Sequence, residues 1–98
     1  MYYNITVKDL KKIINNNIKI IDIRNSKEIK YGNIPGSICI PMIELMSKPS
    51  LYLRKREMYY IYCGSGIKSN SVCYNLSEMG YNVTNVLGGY RRWIIDNE

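Results

Sequence analysis

Two short and almost continuously apolar runs limit what this chain can fold into. Residues 18–23 read IKIIDI and residues 58–62 read MYYIY. Strands that are apolar along most of their length are typical of parallel sheets, which are covered on both faces. Segments with helical spacing alternate with the strands through short connections. The pattern therefore predicts an α/β fold with a mainly parallel sheet and helices on both faces.

Capping and turn residues predict the remaining elements. Thr6 can cap a first helix, Pro41 suits the start of another, and Gly88 with Gly89 opens the last one. The expected helical segments are 7–14, 26–31, 42–46, 69–79 and 88–94, and the further strands are 37–40 and 82–87. On the helix that starts at Ser69, the apolar face is expected to comprise Val72, Cys73, Leu76 and Met79.

The length of 98 residues fits one domain, which we expect to span residues 1–98. No run approaches the roughly 18 apolar residues of a membrane helix, and the start lacks the layout of a signal peptide. Three cysteines without a C-x-x-C pair indicate reduced thiols rather than disulfides or a metal site. We therefore expect a cytoplasmic protein that needs no metal and no cofactor and does not contact a membrane.

The chain contains no histidine, which excludes a Cys-His dyad, a Ser-His-Asp triad and a His-ligated metal. Its formal net charge is +6, but the basic residues are scattered in small groups such as Arg54 to Arg56 and the pair Arg91 and Arg92. None of these groups forms the long tract of a nucleic-acid-binding arm. A solvated basic surface explains the charge better, and no nucleic-acid partner is expected.

Cys63 is the strongest candidate for chemistry. It follows the MYYIY strand and begins a loop, residues 63–69, that contains two glycines and leads into a helix. Ligands of open parallel sheets bind at the carboxyl ends of the strands. Backbone N–H groups of such a loop, the helix N-terminus and the nearby Lys68 would all favour an anion and a thiolate at this place. We therefore expect Cys63 to be a nucleophile, whereas Cys39 and Cys73 are expected to be buried in the core.

Four segments of the chain resemble the rhodanese-like domain family. Their order and spacing are those of the family, and the resemblance extends from Ile20 to Trp93. The segments are IDIR with Glu28 (family pattern D-[VI]-R-x-x-x-E), YGNIPGSI followed by IP at 40–41 (G-H-I-P-G-A-x-x-[IL]-P), CGSGIKS at 63–69 (C-x-x-G-x-R-S), and GY at 80–81 with LGGYRRW at 87–93 (G-[YF] and L-x-G-G-x-x-x-W).

The resemblance implies a five-stranded sheet and a sulfurtransferase of the thiosulfate type. Cys63 would take a sulfane sulfur from a small anionic donor as a persulfide and pass it to a thiophilic acceptor, which is cyanide in vitro and a thiol or a protein in the cell. The loop residues that would bind the substrate are Gly64, Ser65, Gly66, Ile67, Lys68 and Ser69. The alternative is a non-catalytic interaction or regulatory module with the same fold, although inactive members commonly lose the loop cysteine.

Departures from the family pattern refine this hypothesis. Lys68 stands where the family usually has arginine, and a point charge cannot reproduce a bidentate guanidinium, so weaker oxyanion binding is expected. Asn33 replaces a histidine that we interpret as structural. Six residues from Cys63 to Lys68 match the sulfur-transfer members, whereas the related phosphatases have seven. By resemblance, Asp22, Arg24 and Glu28 are expected to form an ion-pair set behind the site.

Overall fold

Five parallel strands form one sheet in the structure, a computed structural model that describes residues 1–97. The elements in chain order are β1 (Tyr3–Ile5), α1 (Val7–Ile13), β2 (Lys19–Asp22), α2 (Ser26–Ile29), β3 (Ser37–Cys39), α3 (Met42–Ser47), α4 (Pro49–Tyr52), β4 (Met58–Tyr62), α5 (Ile67–Glu78), β5 (Asn82–Val86) and α6 (Gly89–Asp96). The strand order is β1-β5-β4-β2-β3, and all four pairings are parallel. The predicted α/β class with a five-stranded sheet is confirmed.

The two faces of the sheet carry separate apolar clusters. Successive side chains of a strand point to opposite faces, so Ile20 joins one cluster and Ile21 the other. The first cluster packs against α1 and α6, and the second against α3 and α5. The continuous apolar character of β2 and β4 is thereby explained, because both of their faces are covered by helices, as predicted.

The strand β4 lies in the middle of the sheet, between β5 and β2. It ends at Tyr62, so Cys63 comes directly after the central strand. The loop that follows leads into α5, which begins at Ile67 rather than at the predicted Ser69. In parallel strands the carboxyl ends lie at one edge of the sheet, and Cys63 therefore faces the loops that follow β2 and β5.

Several local predictions need correction. The edge strand β1 was not predicted from the residues, because its three residues are short and largely exposed and gain their order from pairing with β5. The helix α4 was also missed, although Pro49 occupies its first turn. Met79 does not join the apolar face of α5; it follows the last helical residue and is exposed. The Thr6 cap of α1 is confirmed, since its side chain accepts a hydrogen bond from the N–H of Asp9 at 3.1 Å.

Cys39 is exposed, and the prediction that it packs in the core is wrong. It lies on β3, an edge strand whose three residues are exposed or half-buried. The apolar residues of the segment SIC indicated burial. However, β3 has a neighbouring strand on one side only, so its residues are less covered than those of a central strand. Cys73, in contrast, is fully buried on α5 with Val72 and Leu76, as predicted.

None of the helices within residues 1–97 has the length and apolar character needed to cross a membrane. Within the same residues, no three side chains of the metal-binding types His, Cys, Asp and Glu converge on one point.

Candidate active site

The Cys63 thiol lies at the bottom of a cavity of about 500 Å³ at the carboxyl end of the sheet. The residue is only 3% exposed, so the strand end does not leave Cys63 open on the surface. The cavity connects the buried thiol with solvent. A reagent must therefore enter the cavity to reach the sulfur.

The loop after Cys63 directs hydrogen-bond donors at the sulfur. The backbone N–H of Gly66 donates to Sγ at 3.1 Å, and the backbone N–H of Ser69 donates to it at 3.3 Å. The Ser69 hydroxyl lies 3.4 Å from the sulfur. Ser69 is the third residue of α5, so the positive end of the helix dipole adds to the same effect. The loop thus forms an anion cradle without any histidine.

This cradle determines the ionisation of the thiol. Burial alone raises the pKa of Cys63, because it disfavours the charged form. Hydrogen bonds from the Ser69 side chain and from the backbone of Ser69, Gly66 and Ser65 outweigh burial, and the net pKa lies below the ordinary value. The charge of Lys68, which the sequence also indicated, is not needed for this shift.

The last helix holds the outside of the loop. The backbone N–H of Tyr90 donates to the carbonyl oxygen of Cys63, and that of Arg91 donates to the carbonyl oxygen of Gly64, both at 2.9 Å. These donors belong to the first turn of α6, where N–H groups have no partner within their own helix. The last of the four motifs, LGGYRRW at 87–93, therefore supplies hydrogen-bond donors for two carbonyl oxygens of the loop.

The predicted loop residues divide into two groups. Four of them line the cavity with Cys63, namely Gly64, Ser65, Ile67 and Lys68. Gly66 and Ser69 contact the sulfur from behind instead and do not line the cavity. The Ser65 hydroxyl accepts a hydrogen bond from the N–H of Ile67 at 3.5 Å, at the start of α5.

Sequence reasoning missed the opposite walls of the cavity. One wall is apolar and consists of Pro41, Met42 and Ile43 at the start of α3. Ile43 is 79% exposed, and Ile67 of the loop is 77% exposed, so the mouth of the cavity presents two isoleucines to solvent. The charged residue Arg91 of α6 also lines the cavity. The only sequence signal for Arg91 was its place in the basic pair after the two glycines.

Charges around the cavity are unequal. Lys68 and Arg91 supply two positive charges, and Glu28 supplies one negative charge. Arg24 also lines the cavity, but its guanidinium is paired with the buried carboxylate of Asp22 at 2.8 Å. The excess of positive charge favours an anion in the cavity. Lys68 is the only cation in the loop sequence, and Arg91 adds a second one to the lining of the cavity.

The expected ion-pair set behind the site is only partly present. Asp22 and Arg24 form a buried pair, and Arg24 also donates to the carbonyl oxygen of Gly32 at 2.7 Å and lies 4.2 Å over the ring of Tyr90. Glu28 is not part of this pair. It forms a capping box with Asn25 at the start of α2. The Asp22 and Arg24 pair thus ties the end of β2 to the Gly32 carbonyl after α2 and to the Tyr90 ring of α6, which agrees with a structural role.

The other two thiols are in different environments. Burial raises the pKa of Cys73 to about 12, with a smaller contribution from the charge of Cys63. The pKa of the exposed Cys39 is also raised, mainly by partial desolvation and then by the carboxylate of Asp22. Of the three cysteines, only Cys63 combines a lowered pKa with access to a cavity.

Comparison with known proteins gives consistent matches. The family model described as Rhodanese-like domain matches residues 6–96. A sulfurtransferase of Allochromatium vinosum is 35% identical over 77 residues, which cover 78% of this chain and 71% of that protein. The crystal structure of a rhodanese-related protein from Thermoplasma volcanium has a TM-score of 0.88 and 33% identity, covering 97% of this chain and 93% of that one. A rhodanese-like domain protein from Staphylococcus aureus has a TM-score of 0.85 and 32% identity, with 93% and 90% covered.

Proposed function

We propose a function from the premise that this chain belongs to the rhodanese-like domain family. The resemblance of its four motifs to that family is thereby confirmed. Relatives named as sulfurtransferases support general sulfur transfer. The specific proposal is that Cys63 carries a sulfane sulfur as a persulfide, with thiosulfate or a similar small anion as the donor. The observation that carries it is the buried Cys63 sulfur, bound by backbone N–H groups at the bottom of a positively charged cavity.

The first half-reaction loads the sulfur. The Cys63 thiolate attacks the outer sulfur of thiosulfate, and a new S–S bond forms at Sγ. The S–S bond of thiosulfate breaks, its electron pair leaves with sulfite, and the terminal sulfur of the persulfide carries the remaining negative charge. No proton is transferred, which suits a chain that contains no histidine.

The second half-reaction unloads the sulfur. A thiophilic acceptor such as cyanide attacks the terminal sulfur, the S–S bond at Sγ breaks, and thiocyanate leaves while the Cys63 thiolate is restored. The N–H groups of Gly66 and Ser69 are already directed at this sulfur before the reaction. Such preorganised donors stabilise the thiolate that attacks and the thiolate that is restored.

The cavity supports an anionic donor of small size. The two positive charges of Lys68 and Arg91 outnumber the one negative charge of Glu28. The cavity therefore attracts a dianion such as thiosulfate. The volume of about 500 Å³ leaves space for a larger acceptor, which we propose to be a thiol or a protein in the cell. Because the reaction needs a reduced Cys63, the proposal places the protein in a reducing compartment such as the cytoplasm.

Intact-protein mass spectrometry tests the proposal. The reduced protein is incubated with thiosulfate, the excess donor is removed, and the mass of the protein is measured. The mass is measured again after cyanide is added. We expect a gain of one sulfur atom, its loss with cyanide and the release of thiocyanate. Cys63→Ser should gain nothing, whereas the matched control Cys39→Ser should load like the wild type, because Cys39 lies outside the cavity.

The test also separates the alternative function. A non-catalytic module of the same fold predicts no gain of sulfur from any donor. A gain from an organic persulfide but not from thiosulfate would retain sulfur transfer and overturn the thiosulfate part of the proposal.

A further inference from the structure

Asn85 is a polar residue in a place where the sheet is otherwise apolar. It lies on β5, is 2% exposed, and has Val83, a member of the apolar cluster against α5, two positions before it on the same face. Burying an amide is costly unless it forms hydrogen bonds. Its partner is Ser69, whose hydroxyl lies in the first turn of α5 and is completely buried.

The Ser69 hydroxyl connects Asn85 with the reactive sulfur. It donates to Oδ1 of Asn85 at 2.5 Å and accepts from the Cys63 thiol at 3.4 Å. A hydroxyl has one proton and can donate it to only one acceptor. The arrangement therefore suits the protonated thiol. Once the Cys63 proton has left to solvent, the sulfur becomes an acceptor and requires the Ser69 proton to turn toward it.

We infer that Asn85 is a positioning residue, which holds the Ser69 hydroxyl beside the Cys63 sulfur and allows that hydroxyl to reverse its direction. An amide carries a donor and an acceptor on one group, so a turn of Asn85 presents its N–H₂ to Ser69 in place of its oxygen. The other end of Asn85 meets Asn4 of β1, with 3.5 Å between its nitrogen and the Asn4 oxygen. Asn4 is also an amide and can turn in the same way.

This inference rests on one part of the proposed function, namely that the Cys63 thiolate is the species that attacks. The charged groups that face the cavity above Cys63 are Arg24, Glu28, Lys68 and Arg91, and the thiol of Cys73 lies behind it on α5. Asn85 contacts none of the four cavity charges through a hydrogen bond within the described residues. A substitution at Asn85 therefore leaves those charges in place and acts on the sulfur through Ser69.

Asn85→Val and Asn85→Thr form a matched pair for the test. Both side chains are β-branched and suit a strand, but only threonine offers a hydroxyl that donates and accepts. The readout is the pH dependence of the iodoacetamide labelling of Cys63, measured in a Cys39→Ser background by peptide mass analysis. We expect Asn85→Val to raise the midpoint by about one unit, and Asn85→Thr to restore at least half of that shift.

Turnover should follow the same pattern. Sulfur transfer by Asn85→Val at neutral pH should fall by up to about tenfold, which is the largest loss of thiolate that a one-unit rise of the midpoint causes, and should recover as the pH rises. In Ser69→Ala, adding Asn85→Val should cause no further shift of the midpoint, since Asn85 acts through Ser69. The adjacent buried Thr84 provides the control, and Thr84→Val should leave the midpoint unchanged.

The inference would be overturned if folded Asn85→Val labels Cys63 with the same pH midpoint as the wild type. It would also be overturned if Asn85→Val shifts the midpoint equally in the wild type and in the Ser69→Ala background. Thermal unfolding verifies that each variant folds, and Asn85→Leu replaces Asn85→Val if the latter does not. The labelling measurement needs no sulfur donor. A wild type that gains no sulfur would therefore refute the proposed function, while the midpoints still decide the role of Asn85.

Discussion

Gly89 packs directly against the carbonyl oxygen of Cys63. A Cβ atom at Gly89 would lie 2.3 Å from that oxygen, well inside van der Waals contact. The adjacent N–H of Tyr90 donates to the same oxygen at 2.9 Å. Helix α6 can bind the loop this closely only because its first residue has no side chain. The glycine pair at 88–89 therefore helps to hold the anion cradle in place, although it begins 25 residues after Cys63 in the chain.

The first prediction is that Gly89→Ala disrupts the cradle. The new methyl group must displace the Cys63 carbonyl, and Gly89 has a φ of +56°, which is unfavourable for alanine. We expect the free energy of unfolding to fall by at least about 2 kcal/mol and sulfur loading to be lost. Urea unfolding and intact mass after thiosulfate treatment measure the two effects.

Gly36→Ala is the matched control for this prediction. Gly36 also has a positive φ, +83°, but a Cβ there meets no atom within 4 Å. The control should lose only about 1 to 2 kcal/mol of stability through backbone strain and should load sulfur normally. Equal loading by Gly89→Ala and Gly36→Ala would show that the close contact at Gly89 does not support the site.

The second prediction separates the roles of the three cysteines. Cys63→Ser should abolish sulfur transfer, because a serine hydroxyl is not ionised at neutral pH. Cys73→Ser should retain transfer but lower the free energy of unfolding by about 1 to 3 kcal/mol, because it buries a hydroxyl in an apolar cluster. Cys39→Ser should change neither property, since Cys39 is exposed. Loss of transfer in folded Cys73→Ser would contradict a mechanism with a single cysteine.

The sequence predicted the central elements well because their signals are local. The apolar runs before Asp22 and Cys63 and the loop glycines need no tertiary information, and they placed Cys63 correctly at the end of β4. Features that depend on neighbours were missed or wrong. The strand β1 exists through its pairing with β5, and Cys39 is exposed because β3 lies at the edge of the sheet.

The same distinction applies to the site. The N–H donors of the cradle could be predicted, since a loop with two glycines before a helix presents them. Arg91 and Asn85 could not, because both come from elements distant in sequence that meet the loop only after packing. The polar character of Asn85 in an otherwise buried strand was a signal for a buried hydrogen bond, but nothing in the sequence identifies Ser69 as its partner.

The third prediction concerns the two cations of the cavity. Lys68→Met and Arg91→Met should each raise the KM for thiosulfate three- to fivefold with little change in kcat, since an exposed charge contributes up to about 1 kcal/mol to uniform binding. Lys68→Arg should retain or lower the KM. The control is Arg92→Met, because Arg92 pairs with Asp96 and does not line this cavity. Steady-state kinetics of thiocyanate formation that show the same KM in all four variants would mean that the backbone alone binds the donor.

The fourth prediction is that Cys63 and Cys39 respond differently to pH. Cys63 has a lowered pKa and Cys39 a raised one, relative to the ordinary value of 9.0. The labelling rate of Cys63 by iodoacetamide should therefore reach half of its maximum below pH 9, whereas that of Cys39 should do so only above pH 9. After thiosulfate treatment the label on Cys63 should sit on the outer persulfide sulfur and be removed by a thiol reductant, whereas the label on Cys39 should stay. Parallel profiles for the two thiols would show that the cradle does not activate Cys63.

The fifth prediction is that stability depends on pH through the same thiols, with opposite signs. Between the lowered pKa of folded Cys63 and 9.0, the unfolded chain retains a proton that the native protein has lost, so the free energy of unfolding rises with pH. Above 9.0 the raised pKa values of Cys73, about 12, and of Cys39 reverse the slope, because there the native protein retains protons that the unfolded chain loses. Urea unfolding under reducing conditions at a series of pH values should show both limbs in the wild type. Cys63→Ser should lose the rising limb below pH 9 and retain the falling one. A rising limb that persists unchanged in Cys63→Ser would mean that another group causes it and that the cradle does not favour the thiolate.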